Sequence, residues 1–171
     1  MEQPGGAETA VTPAVGPAVV GARHAGITVS DLDRSLAFYR DLLGLELLWR
    51  RVYEEPEIRE IVGVPTATSF DIAMLRVPGS EVEIELLEYR GCPRASGATE
   101  PCNFGSGHFC LFVREIEELH AGLRARGVAF RSNGPVTMTG GANKGGKSLY
   151  ALDPDGYVVE LHEPPPHLRR A

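Results

Sequence analysis

One order of elements, strand, helix and then three strands, can be read twice along this chain, and no other feature narrows its fold as far. In the first half, residues 24–29 alternate, with Ala25, Ile27 and Val29 on one face and His24, Gly26 and Thr28 on the other. Ser30-Asp31-Leu32-Asp33 opens a helix with a capping-box-like start. Leu32, Leu36, Tyr39 and Leu43 follow at helical spacing, and Gly44 offers a left-handed stop. Strands are expected over residues 45–53, 69–77 and 81–89, with a short charged helix or turn over 54–62. The second half repeats the order: strand 107–113, a helix over 115–126 with Ile116, Leu119 and Leu123 inward and Gly127 as its stop, then strands near 128–131, 147–152 and 157–162. Acidic residues gather at the start of that helix and arginines at its end, as the macrodipole favours.

The repeat divides the chain into a first module over residues 22–90, a linker over 91–105 rich in Gly and Pro, and a second module over 106–164. Residues 1–21, without periodicity, read as a mobile tail, and 165–171 as a C-terminal tail. At 171 residues, 43% of them hydrophobic, the chain suits one globular domain or two small modules sharing a core. A net charge of −6 with no basic run argues against a nucleic-acid or acidic-membrane binder. Cys92, Cys102 and Cys110 lack CxxC spacing, so neither a disulfide framework nor a zinc knuckle is indicated. A reducing, cytoplasmic setting is expected, since no apolar run is long enough to span a membrane and the N-terminus lacks a secretory pattern.

Two strands carry an anomaly. Val82, Ile84 and Leu86 form one face of residues 81–89, which sends Glu83, Glu85 and Leu87 to the other. In residues 157–162, which follow the tight Asp153-Pro154-Asp155-Gly156 turn, Tyr157, Val159 and Leu161 oppose Val158, Glu160 and His162. A carboxylate in mid-strand needs a cation, a proton or water. Each glutamate sits in the last strand of its half, and a histidine opens the first strand of each half, so the repeat pairs His24 with Glu85 and His108 with Glu160. If the two modules form one curved trough, these four side chains converge. Two imidazoles and two carboxylates suit a borderline divalent cation with positions left open for substrate.

The segments HAGITVSDLDRSLAFYRDLLGL, VEIELLEY, GHFCLFV and DPDGYVVELHE resemble the vicinal oxygen chelate superfamily, over residues 23–164. That superfamily includes glyoxalase I, methylmalonyl-CoA epimerase, extradiol dioxygenases and the fosfomycin and bleomycin resistance proteins. The resemblance implies an α+β fold of paired βαβββ modules forming a curved, partly open mixed sheet, or cup. It also implies a divalent metal (Ni, Zn, Mn, Co or Fe(II)) at His24, Glu85, His108 and Glu160, and small-molecule substrates with vicinal oxygens. The cup closes within one chain or by exchange of halves in a homodimer; the sequence leaves this choice open, and a homodimer is expected.

Glutamate at position 85 matches the glyoxalase I pattern, where the epimerase pattern has glutamine. On this reading the metal polarises a carbonyl and stabilises an enediolate while a carboxylate moves the proton between neighbouring carbons, with Glu160 the first candidate for the base and Glu85 the other. The insertion between Arg51 and Ser69 departs from the compact bacterial glyoxalase I outline. An extradiol dioxygenase is the alternative suggested by residues 149–160, but no histidine stands in the region 141–144 where that signature needs one. A non-catalytic resistance-type binder is a third reading, weakened by the presence of all four metal residues. Residues 141–148 spell the phosphate-loop pattern GxxxxGK[ST], yet a strand rather than a helix follows, so they read as a loop over the mouth of the cup in which Lys144 and Lys147 could meet an anionic substrate. Trp49 and Tyr53 read as core, Cys110 as packing beside His108, His120 and His167 as solvated, and His162 as a candidate support for the metal ligands.

Overall fold

Alternation and helical spacing produce the expected elements with shortened ends. The computed structural model describes residues 19–97 and 100–168, so most of the expected tail at 1–21, and the last part of that at 165–171, lie outside the described residues. The first half runs β1 (Ala25–Thr28), α1 (Leu32–Leu36), β2 (Glu46–Tyr53), α2 (Pro56–Val62), β3 (Ser69–Arg76) and β4 (Glu83–Arg90). The second runs β5 (His108–Phe112), α3 (Ile116–Ala125), β6 (Ala129–Phe130), β7 (Val136–Thr137), β8 (Lys147–Leu152) and β9 (Val158–Glu163). Each half builds one mixed sheet, ordered β1-β4-β3-β2 and β5-β9-β8-β6, in which the first strand pairs parallel to the last and the other ladders are antiparallel. The α+β fold of paired βαβββ modules is therefore what the chain adopts, with β7 added as a short strand beside β8. Among the described residues no ladder joins one sheet to the other.

The helix expected as regular over Leu32, Leu36, Tyr39 and Leu43 changes its winding halfway. Asp31 caps it by accepting the Arg34 N–H at 2.9 Å, and Glu88 reaches from β4 to accept the Leu32 N–H at 2.9 Å. Residues Ala37–Leu42 are then π-helical, with Leu43 N–H donating to the Phe38 carbonyl, and Gly44 ends the run at φ 77°. The wider turn brings two consecutive aromatic residues, Phe38 and Tyr39, inward together, their rings edge-on at 5.0 Å.

One apolar core joins both halves. Ile27, Leu32, Leu36, Leu75, Ile84 and Leu86 from the first share it with Leu111, Ile116, Leu123, Leu149, Val159 and Leu161 from the second. The helix-facing side of each sheet is thus buried against common material, and the opposite faces, which carry the anomalous glutamates, point away from it. The Asp153-Pro154-Asp155-Gly156 turn fastens the halves together. Asp155 accepts from Ser30 N (2.8 Å), Ser30 Oγ (2.6 Å) and Arg34 Nη2 (2.5 Å). Asp153 Oδ1 accepts from the Asp155 and Tyr157 N–H groups at 2.9 and 2.8 Å, and the buried Tyr39 hydroxyl donates to its Oδ2 at 3.0 Å.

Burial raises the Asp153 carboxyl above its ordinary 3.8, outweighing the hydrogen bonds from Tyr157, Tyr39 and Asp155 that lower it. A carboxyl raised in the fold contributes stability that is full below 3.8 and is lost as pH climbs through the raised value. Asp153→Asn keeps an acceptor for the turn without that loss. The melting temperature of the variant minus that of the wild type is expected to grow as pH rises from 3.8 through the raised value. A difference constant with pH, read by calorimetry, would refute this assignment.

Candidate metal centre

The site-bearing face of the first sheet is set by register. Gly26 on β1 lies opposite Glu85 on β4, and Met74 on β3 lies opposite Glu85 from the other side. His24, just ahead of β1, brings Nε2 to 3.4 Å from Glu85 Oε2. In the second sheet Cys110 and Tyr150 flank Glu160, and His108 Nε2 lies 3.2 Å from Glu160 Oε2. Both pairings read from the repeat are thus present, one on each sheet. Two donors about 2.1 Å from one cation, at tetrahedral or octahedral angles, lie roughly 3.0–3.4 Å apart, so each pair has the spacing of half a coordination shell. The two pairs do not gather: among the described residues no group of three or more His, Cys, Asp or Glu side chains is placed to hold a metal ion.

The glutamates act on their surroundings. Cys110 is exposed, yet partial shielding of its thiol from water, and then the Glu160 carboxylate it faces, push that thiol up to about 11. Tyr150 and Tyr89 are raised for the same two reasons, Tyr150 beside Glu160 and Tyr89 beside Glu85. Large apolar groups on these faces remain open: Phe112, on the His108 side of β5, is 73% exposed, and Trp49, expected in the core, is 37% exposed on the Glu85 side of β2. Trp49 escapes burial because β2 is the outer strand of its sheet.

The insertion after Arg51 has a structural use. α2 and the residues after it lay Ile58, Val62 and Val64 on Phe70, Ile72 and Leu87, which closes one end of the site-bearing face of the first sheet. Beside this cluster a cavity of about 820 Å³ is bounded by Thr28, Val64, Tyr89, Arg94, Gly107 and Tyr157 among others, so it opens beside His108.

Other expectations are corrected. His162 is 4% exposed, its Nε2 buried with no hydrogen-bond partner among the described residues, its ring beside Phe112 and its backbone opposite Ser148. The His120 ring packs edge-on to Phe130 with Nε2 buried, because α3 turns this residue toward β6 instead of water. Lys147 is drawn to the helix side of β8 by Glu117 (2.8 Å), on the face opposite Glu160, so it does not reach toward the site. The loop before it leads into a strand, as expected of a chance spelling of the phosphate-loop pattern. Sequence reasoning passed over Ser148. Its hydroxyl donates to Glu160 Oε1 at 2.6 Å, a contact readable only once the β8–β9 register is known.

The family description glyoxalase/bleomycin resistance protein/dioxygenase superfamily matches residues 21–161. The chain belongs to this superfamily. A lactoylglutathione lyase of Haemophilus influenzae is 34% identical over 144 residues, covering 82% of this chain and 90% of that protein. A 2-epi-5-epi-valiolone epimerase of an Actinomyces species is 29% identical over 148 residues, covering 85% and 80%. A glyoxalase family protein of Bacillus cereus shares the fold with a TM-score of 0.75 at 20% identity, covering 88% of this chain and 98% of that one. Within the superfamily, both anomalous carboxylates and both strand-opening histidines of this chain fall inside the matched span.

Proposed function

We propose that this protein is a divalent-metal-dependent, glyoxalase I-like lyase that moves a proton between neighbouring carbons of a small substrate with adjacent oxygens. The observation that carries this reading is the doubled His–Glu pair, at 3.4 and 3.2 Å, on the open faces of two repeat-related sheets. The similarity to lactoylglutathione lyases supports the reaction class. Because neither pair is a shell by itself, the ion would be held by His24 and Glu85 of one copy and His108 and Glu160 of a second, an arrangement that would also cover Phe112 and Trp49. The bound cation would act as a Lewis acid toward the substrate's carbonyl oxygen. The chain's own residues do the rest. His24 and His108 would offer Nε2 to the ion, one of Glu85 and Glu160 offers a carboxylate oxygen that accepts and returns the substrate's proton, and the α2 cluster walls off one end of the cup from water.

An epimerase uses the same proton movement, and the epimerase relative keeps this as the second reading. Elemental analysis of the purified protein, with turnover of a glutathione hemithioacetal, an epimerisable acyl-CoA and a catechol before and after chelation, separates the cases. Hemithioacetal turnover that is lost to chelator and regained with one divalent metal is the expected result. Chelator-resistant turnover, or a protein that takes up no ion, would overturn the proposal.

A further inference from the structure

The two half-sites offer the same pair of ligands in unequal surroundings. Register makes the comparison residue by residue. Tyr150 stands opposite Glu160 where Met74 stands opposite Glu85; Cys110 flanks Glu160 where Gly26 flanks Glu85; and Ser148, two residues along β8, corresponds to Ile72 on β3. The neighbours of Glu160 are therefore a hydroxyl, a thiol and a phenol. Those of Glu85 are a methionine, an isoleucine and a glycine.

Two of these neighbours bond the carboxylate: the Cys110 thiol weakly, and the Ser148 hydroxyl at short range. The Ser148 hydroxyl has one proton and two acceptors in reach, Glu160 Oε1 at 2.6 Å and the Leu161 carbonyl at 3.3 Å. The nearer, charged oxygen takes it, because hydrogen bonds to carboxylate are shorter and stronger than those to a neutral carbonyl. Fixing Oε1 sets the plane of the carboxylate and leaves Oε2 facing His108 Nε2. Glu85 has no counterpart: apart from His24, no donor among the described residues reaches its carboxylate, and the space beside Gly26 is open enough that an added Cβ would sit 3.7 Å from Oε2.

We infer that Ser148 is a positioning residue that orients the Glu160 carboxylate as an oxygen donor of the metal centre. This rests on the metal-dependent function proposed above. A carboxylate held in one orientation serves better as a ligand, because less freedom is lost when the ion binds.

The test uses the full chain stripped of metal and titrated with Zn²⁺ against a chromophoric chelator. Ser148→Ala is expected to bind Zn²⁺ about 10-fold or more weakly, the range seen when a hydrogen bond to a metal ligand is removed, while Ser148→Thr, which keeps the hydroxyl, stays within about threefold of the wild type. Unchanged melting temperature and circular dichroism show that the fold is intact. If the alanine variant fails to fold, Ser148→Cys, of similar size but a poor donor, carries the same expectation. Zn²⁺ affinity of the alanine or cysteine variant within about twofold of the wild type, or a threonine variant as weak as alanine, overturns the positioning role alone. A wild-type protein that binds no Zn²⁺, Ni²⁺, Co²⁺ or Mn²⁺ overturns the proposed function and this inference with it.

Discussion

Replacing Glu85 with Gln is expected to lower kcat by about 10²–10⁴-fold, or about 3–5 kcal/mol of barrier, while the protein keeps its divalent ion. The amide preserves size and one oxygen donor but removes the basic carboxylate. Its apolar neighbours Met74 and Ile72 supply no replacement. Glu160→Gln is expected to fail differently. While Ser148 keeps donating to the amide oxygen, the NH₂ group is turned toward the position where Oε2 meets His108, so the ion is released to chelator first. Metal content by elemental analysis and steady-state kinetics, measured on both variants, read the two effects separately. Wild-type turnover in the Glu85 variant would remove that residue from the reaction. Mixing the two variants gives a sharper result. If each centre draws one pair from each copy, a mixed dimer holds one intact centre and one doubly altered one, so random reassociation restores about a quarter of wild-type activity. No recovery from a verified mixed dimer would mean that the cup closes within one chain.

The second large effect lies on the opposite side of the same sheet. Asp71, 1% exposed on β3, accepts from Arg50 Nε and Nη2 on β2 (3.0 and 2.8 Å) and from Arg90 Nη2 on β4 (2.7 Å), which ties three strands together through one carboxylate. Removing one partner of a buried ion pair costs about 3–5 kcal/mol, because the other charge is left behind in a dry place. Here the charges left behind are not fully dry: the Arg50 and Arg90 side chains are 33% and 42% exposed, and Asp33 also holds Arg50. That screening lowers the expected loss for Asp71→Ala to about 2–3 kcal/mol, read as a shift in the urea midpoint at constant m-value. Asp71→Asn should recover part of it by accepting from one arginine. A loss below about 0.5 kcal/mol would show that the cluster is effectively solvated.

Both predictions depend on residues whose meaning differs in how far it can be read along the chain. Glu85 and Glu160 announce themselves, since a carboxylate inside an alternating apolar strand is costly unless something compensates it. Asp71 carries the same sign but gives no hint of its partners. It sits in an apolar run, and its partners lie 21 residues before and 19 residues after it. The same holds for the π-helical turn at residues 37–42, where regular spacing hides a change of winding that serves contact with another element. α2 was expected, but its seat on the site-bearing face was not. A short amphipathic helix carries no mark of which surface it will cover.

Local pattern alone determined the element order, the βαβββ repeat, the side of each strand on which His24, Glu85, His108 and Glu160 stand, and the pairing of each histidine with its glutamate. Those follow from periods of 2 and 3.6 residues and from sheet register within one module, which involve near neighbours and few alternatives. Tertiary structure decided that the two pairs lie on separate sheets facing away from a shared core, that Ser148 grips one glutamate while the other stands among apolar groups, and that Asp71 is buried between two arginines. These depend on how whole sheets pack, a balance of buried area among arrangements of nearly equal local energy, and local patterning does not encode that balance.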